Sequence, residues 1–126
     1  MDFILVGIGG LFGAMSRYGI VLMISQLNPK AILPYGTMLV NITGCLAIGI
    51  LAGIGSMKEG GLRPELRLLL MVGFLGGFTT FSSFGLEFFS LIKDLHPFRA
   101  LIDVAIQVIA GFAAVGGGYW LGCILA

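Results

Sequence analysis

The chain is 126 residues long and 58% hydrophobic, with 21 glycines and only 10% charged residues. That length accommodates one domain, and thirteen charged side chains, seven basic and six acidic, cannot cover the outside of a water-soluble globule of this size. A formal net charge of +1 also leaves no basic footprint for nucleic acid.

Runs of about 20 apolar residues, the length that crosses a hydrocarbon core of about 30 Å, occur four times. The first covers residues 3–27 and has no basic n-region before it, so it reads as a retained span and not a cleaved signal. The second covers residues 36–56, the third 67–92 and the fourth 98–126. Short polar connections lie between them: residues 28–35 with two prolines, residues 57–66 with Lys58, Glu59, Gly60, Gly61 and Pro64, and residues 93–97. The expected fold is an all-α integral membrane protein, residues 1–126 forming a single four-span domain.

With four spans both termini share a side with the second connection. Lys58, Arg63 and Arg67 lie on that side and Lys30, Lys93 and Arg99 on the other. Three against three sets no orientation by the positive-inside rule, which fits either weak topology or insertion of copies both ways. Close helix packing in lipid depends on small residues, and GxxxG pairs include Gly9 with Gly13, Gly49 with Gly53, and Gly118 with Gly122. Packing within one four-helix subunit explains most of them, and a subunit interface remains expected because four such helices enclose little interior.

The third span is written Gly73, Phe74, Leu75, Gly76, Gly77, Phe78, Thr79, Thr80, Phe81, Ser82, Ser83, Phe84, Gly85. Paired glycines followed by four hydroxyl residues within five positions weaken a helical ladder, so a break near the middle is expected. Irregular backbone at that depth is tolerated where it lines a cavity or is buried in protein, and freed carbonyls there suit an ion.

The single histidine, His96, has no nucleophile or orienting partner in the sequence, and Cys45 and Cys123 sit alone in apolar runs, so no enzymatic centre is indicated. The polar groups left inside the spans are Arg17, Asn41, Thr79, Thr80, Ser82, Ser83, Glu87, Asp103 and Gln107. Arg17, Glu87 and Asp103 fall nearer span ends, where snorkelling to the interface competes with a functional role. Asn41 offers amide donors, Ser82 and Ser83 offer hydroxyls, and Phe81 and Phe84 stand three apart on one face. Ring edges carry partial positive charge, so this set suits an anion; an apolar core with hydroxyls bonded back to their own helix is the competing reading.

Three stretches resemble the Fluc (CrcB) family of bacterial fluoride channels: Gly13 to Tyr18 (GAMSRY), Pro34 to Asn41 (PYGTMLVN) and, most specifically, Gly76 to Glu87 (GGFTTFSSFGLE), which matches a GGxTTFSxFxxE pattern. The resemblance spans essentially the whole chain. It implies passive export of cytoplasmic fluoride across the bacterial plasma membrane by a dual-topology homodimer of antiparallel subunits with two pores. It implies a fluoride pathway of Asn41, Phe81, Phe84, Ser82, Ser83, Thr80, Gln107 and Glu87, with Arg17 at the vestibule. It also implies a central sodium ion held by the backbone carbonyls of Gly76 and Thr79, which are suitable ligands for a hard cation. The fourth span departs from the family's hydroxyl track, reading Gln107, Gly111 and Val115, with Asp103 one turn before Gln107. Gln107 keeps an amide donor, whereas a carboxylate at Asp103 repels an anion unless it is protonated, paired or turned away. Those substitutions leave open a role as one partner of a heteromeric fluoride channel. A proton-coupled small multidrug exporter is a second alternative, but it needs an acid in the first span, which here carries Arg17 and no acid beyond Asp2. A non-conducting membrane scaffold is a third, which would need no donors opposite Phe81 and Phe84, yet Asn41 and the serines are present.

Overall fold

A computed structural model describes residues 1–57, 59 and 61–126. Lys58 and Gly60, assigned above to the second connection, lie outside the described residues. Among the described residues four helical stretches are long and apolar enough to cross a membrane: α1 (Asp2–Leu27), α2 (Tyr35–Met57), a composite third span (Pro64–Lys93) and α6 (Pro97–Leu125). Three of the four expected spans agree with these to within a residue at each end. The third starts three residues early because Pro64 occupies the first helical turn, where its missing N–H costs nothing.

The third span is assembled from pieces. After α3 (Pro64–Leu66) comes a π-helical stretch, Arg67–Leu75, then α4 (Gly76–Phe78), two extended residues, and α5 (Phe81–Lys93). Thr79 (φ −84°, ψ 156°) and Thr80 (φ −149°, ψ 118°) are the extended pair. Thr80 caps α5, its Oγ1 accepting from the Ser83 N–H at 3.1 Å.

Glycine decides how the spans meet. A Cβ at Gly49 or Gly53 would overlap the Val115 or Tyr119 carbonyl oxygen on α6, and a Cβ at Gly118 or Gly122 would overlap the Leu46 or Ile50 carbonyl oxygen on α2. The two backbones are thus in reciprocal contact, and α2 with α6 is the most extensive helix pair in the chain. Gly9 and Gly13 on α1 do the same against the carbonyls of Leu69 and Phe74, with Gly73 and Gly77 answering from the third span. The GxxxG pairs named above are therefore used within the subunit. Between α2 and the third span sits a small apolar core of Val40, Leu75 and Phe78, with Phe74 stacked on Phe78 at 5.7 Å.

The turn from α5 to α6 holds Leu95 at φ +60°, the one non-glycine residue with positive φ among those described. His96 N–H reaches back to Leu91 O (2.8 Å) and Leu95 N–H to Ile92 O (3.2 Å), as in helix ends closed by a left-handed residue. A side chain with a Cβ is strained there, and Leu95 is exposed. Leu95→Gly is therefore expected to raise stability by about 0.5–1 kcal/mol in thermal unfolding.

Candidate functional site

Asn41 is the hub from which the site is built. It lies on α2 one turn after Thr37 and one turn before Cys45, facing both the extended Thr79–Thr80 pair and α6. The Thr80 N–H donates to Asn41 Oδ1 (2.8 Å), and Asn41 Nδ2 donates to the Thr80 carbonyl (3.2 Å). One side-chain amide thus meets both backbone groups of the extended Thr80. Gly44 makes room beside it, since a Cβ there would overlap the Thr79 methyl group. Thr79 Oγ1 bonds back to Leu75 O at 2.9 Å, a hydroxyl habit that competes with the helix.

The two donors drawn away here are those that an uninterrupted helix would aim at Gly76 O and Thr79 O. Thr80 N–H goes to Asn41 instead, and Ser83 N–H goes to Thr80 Oγ1. The next carbonyl, Gly77 O, accepts from Arg17 Nε at 3.1 Å. Arg17 is thus held on the third-span backbone.

A cavity of about 360 Å³ opens beside this junction, lined by Asn41, Thr79, Thr80, Phe81, Phe84 and Gln107 together with apolar residues of α2 and the third span. The Phe81 and Phe84 rings are 5.6 Å apart and tilted by 52°. Phe81 is 84% exposed, whereas Phe84 is half-buried. Ser82 and Ser83 are not among the cavity-lining residues; their hydroxyls lie 3.3 Å and 3.0 Å from Thr80 Oγ1, in a cluster at the start of α5. Glu87 lines a second cavity of about 280 Å³ near the first connection, where the Thr37 hydroxyl donates to its Oε1 at 2.5 Å.

Two residues of α6 connect these regions. Gln107 Oε1 accepts from Asn41 Nδ2 (2.7 Å), and Gln107 Nε2 donates to Asp103 Oδ1 (2.9 Å). Asp103 is fully buried, and its Oδ2 has no partner among the described residues. The amide of Gln107, expected as a donor to an anion, therefore turns its oxygen toward Asn41 because Asp103 holds its nitrogen. Thr37 was not anticipated as a site residue; its position four before Asn41, on the same face of α2, was the available signal.

A cavity bounded by amides, a backbone junction and tilted phenyl rings, with no basic side chain lining it, can solvate a small anion by donors and ring edges. The family model described as CrcB-like protein, Camphor Resistance (CrcB), matches residues 4–119. The chain belongs to the CrcB family. It is 40% identical over 119 residues to the fluoride-specific ion channel FluC of Hyphomonas neptunium, covering 94% of this chain and 93% of that protein. The FluC of Chlorobium phaeobacteroides is 43% identical over 116 residues, covering 92% and 88% of the two chains. That of Coxiella burnetii is 40% identical over 125 residues, covering 99% and 97%.

Proposed function

We infer that this CrcB-family chain is a fluoride channel: a multi-pass protein of the bacterial plasma membrane that lets cytoplasmic fluoride leave passively down its electrochemical gradient. It performs no covalent chemistry. Relatives matched over nearly their whole length are named for fluoride conduction. The observation that carries the reading is the cavity shared by Asn41, Phe81 and Phe84. A strongly hydrated anion needs replacement partners as it loses water, and ring edges, with neutral amides once they exchange their present hydrogen bonds, supply them without the trap that a fixed cation would create. The exporter alternative lacks support, because the one acid in the first span is Asp2 at its very start.

The working unit proposed is an antiparallel, dual-topology homodimer with two pores. The balance of loop charges, Lys58, Arg63 and Arg67 against Lys30, Lys93 and Arg99, supports insertion both ways. Support also comes from the junction itself: Phe81 is largely exposed, and among the described residues no atom of another element lies within 4 Å of where a Gly76 Cβ would stand. A second copy placed there would close the open side of the cavity. In this unit the extended Thr79–Thr80 pair is the break in the third span.

A sodium ion is proposed at that break, held by the carbonyls of Gly76 and Thr79. Their helical donors are diverted to Asn41 and Thr80, which leaves oxygen ligands of the kind a hard cation takes. The fluoride pathway then runs past Asn41, Phe81, Phe84 and Gln107, with the Thr80, Ser82 and Ser83 hydroxyls beside it and Glu87 toward one mouth. Arg17 would serve the vestibule at the other.

The test is efflux from liposomes containing the purified full-length protein, followed with a fluoride electrode and with chloride as control. Fluoride release without chloride release is expected. Equal release of both ions would overturn the reading, and no release from the homomer would replace the homodimer with a heteromeric channel or refute conduction if an unlike subunit fails to restore it.

A further inference from the structure

The hydrogen bonds across α2, α5 and α6 have a fixed polarity. A backbone N–H can only donate, so Thr80 N–H sets Asn41 Oδ1 toward α5. Asn41 Nδ2 then donates both its hydrogens, one to Thr80 O and one to Gln107. Because Nδ2 cannot accept, the Gln107 atom facing it is Oε1, and Gln107 Nε2 is left to donate to Asp103. Asp103 is the acceptor at the end of this chain, which leaves Asn41 with no N–H for an anion.

The charged and titratable groups around Asp103 are few. From α5, Glu87 contributes a second carboxyl, whose Oε1 accepts from Thr37 and whose Oε2 is buried without a partner among the described residues. Helix α2 carries no acidic, basic or histidine residue and faces this region with Thr37 and Asn41. On α6 itself Arg99, one turn earlier, has a buried Nη1 that is also without a partner among the described residues. Asp103 Oδ2 is thus a fully buried oxygen free to take a proton.

We propose that Asp103 is a positioning residue for the ion: as an acceptor it holds the Gln107 oxygen on Asn41 and withholds the Asn41 N–H, and proton uptake at Oδ2 releases it. The proton comes from solvent and is returned to it; no other bond changes. Once protonated, the carboxyl turns its O–H into the place Oδ1 now holds and donates to Gln107 Oε1 as the amide turns round. Gln107 Nε2 and Asn41 Nδ2 then both present N–H groups to the cavity that both residues line. An oxygen facing the anion is exchanged for two donors, so conduction becomes proton-linked in this chain. This inference rests on the fluoride-channel reading.

The experiment is fluoride efflux from liposomes with the full-length protein at a series of pH values from alkaline to mildly acidic. Protein-free liposomes correct for leakage of hydrogen fluoride. Flux through the parent protein should rise as pH falls, by up to about tenfold per pH unit where the carboxyl is mostly ionised. Asp103→Leu has no acceptor for Gln107, so its flux should lose that pH dependence and exceed the parent's at alkaline pH. Gln107→Met cannot link Asp103 to Asn41 and should flatten the profile too, which keeps the proposal testable if Asp103→Leu does not fold. A pH-independent parent flux overturns the proposal, as does a profile that persists in both variants, which would assign the titration to Glu87. Absence of fluoride flux from the parent at every pH would instead refute conduction by the homomer.

Discussion

Asn41→Asp is expected to lower fluoride flux by at least about a hundredfold, equivalent to roughly 2.7 kcal/mol on the barrier. The substitution keeps the acceptor for Thr80 N–H but removes both donors, those now used at 3.2 Å to Thr80 O and 2.7 Å to Gln107 Oε1. A carboxylate then faces two oxygens and the path of an anion. Loss of one buried hydrogen bond costs about 1–3 kcal/mol, and repulsion between like charges in a site of low dielectric adds to it. Gel filtration checks that the variant remains folded and assembled, and the liposome assay reads the flux. Flux equal to the parent's would show that Asn41 serves the backbone junction alone.

Gly53→Ala should be strongly destabilising for a single added methyl group. Its Cβ would overlap the Tyr119 carbonyl oxygen and approach Cys123 N to 2.9 Å and Gly122 Cα to 3.0 Å. All three are backbone atoms, so relief requires α6 to move away from α2. Overpacking of this kind costs about 1–3 kcal/mol. The damage reaches the site as well, because the Asn41–Gln107 contact of 2.7 Å spans the same helix pair. Thermal unfolding in detergent should show a lowered midpoint, and fluoride flux should fall with it. Gly117→Ala is the control, since no atom lies within 4 Å of its added methyl. There the gain in helix propensity of roughly 0.8–1 kcal/mol should leave stability equal or raised. Equal midpoints for Gly53→Ala and Gly117→Ala would mean that the α2–α6 contact is loose.

Much of the fold was legible because lipid imposes a strong pattern: four apolar runs of spanning length, interrupted by proline and charge, became four spans. The unusual composition of residues 73–85 was legible as well, and Thr79 with Thr80 is extended there. The π-helical form of Arg67–Leu75 had no local signal. Glycine spacing marked small-residue faces but could not name their partners. A GxxxG pair fits a neighbour in the same chain or a second copy equally well, and here Gly49 with Gly53 meets Gly118 with Gly122.

The site divides in the same way. Asn41, Phe81, Phe84 and Gln107 could be nominated from residue type and family pattern, and they line one cavity. Amide polarity could not be nominated. Whether Gln107 shows nitrogen or oxygen to Asn41 depends on a relay that begins at the Thr80 N–H and ends at Asp103, residues far apart in the chain. By itself the sequence determined the solvent, the number of spans and the family, since these depend on composition, run length and local motifs. Tertiary structure alone decided which glycines touch, which carbonyls lose their helical donors and which hydrogens Asn41 has left, because each depends on the pairing of groups that only close helix packing brings within hydrogen-bond reach.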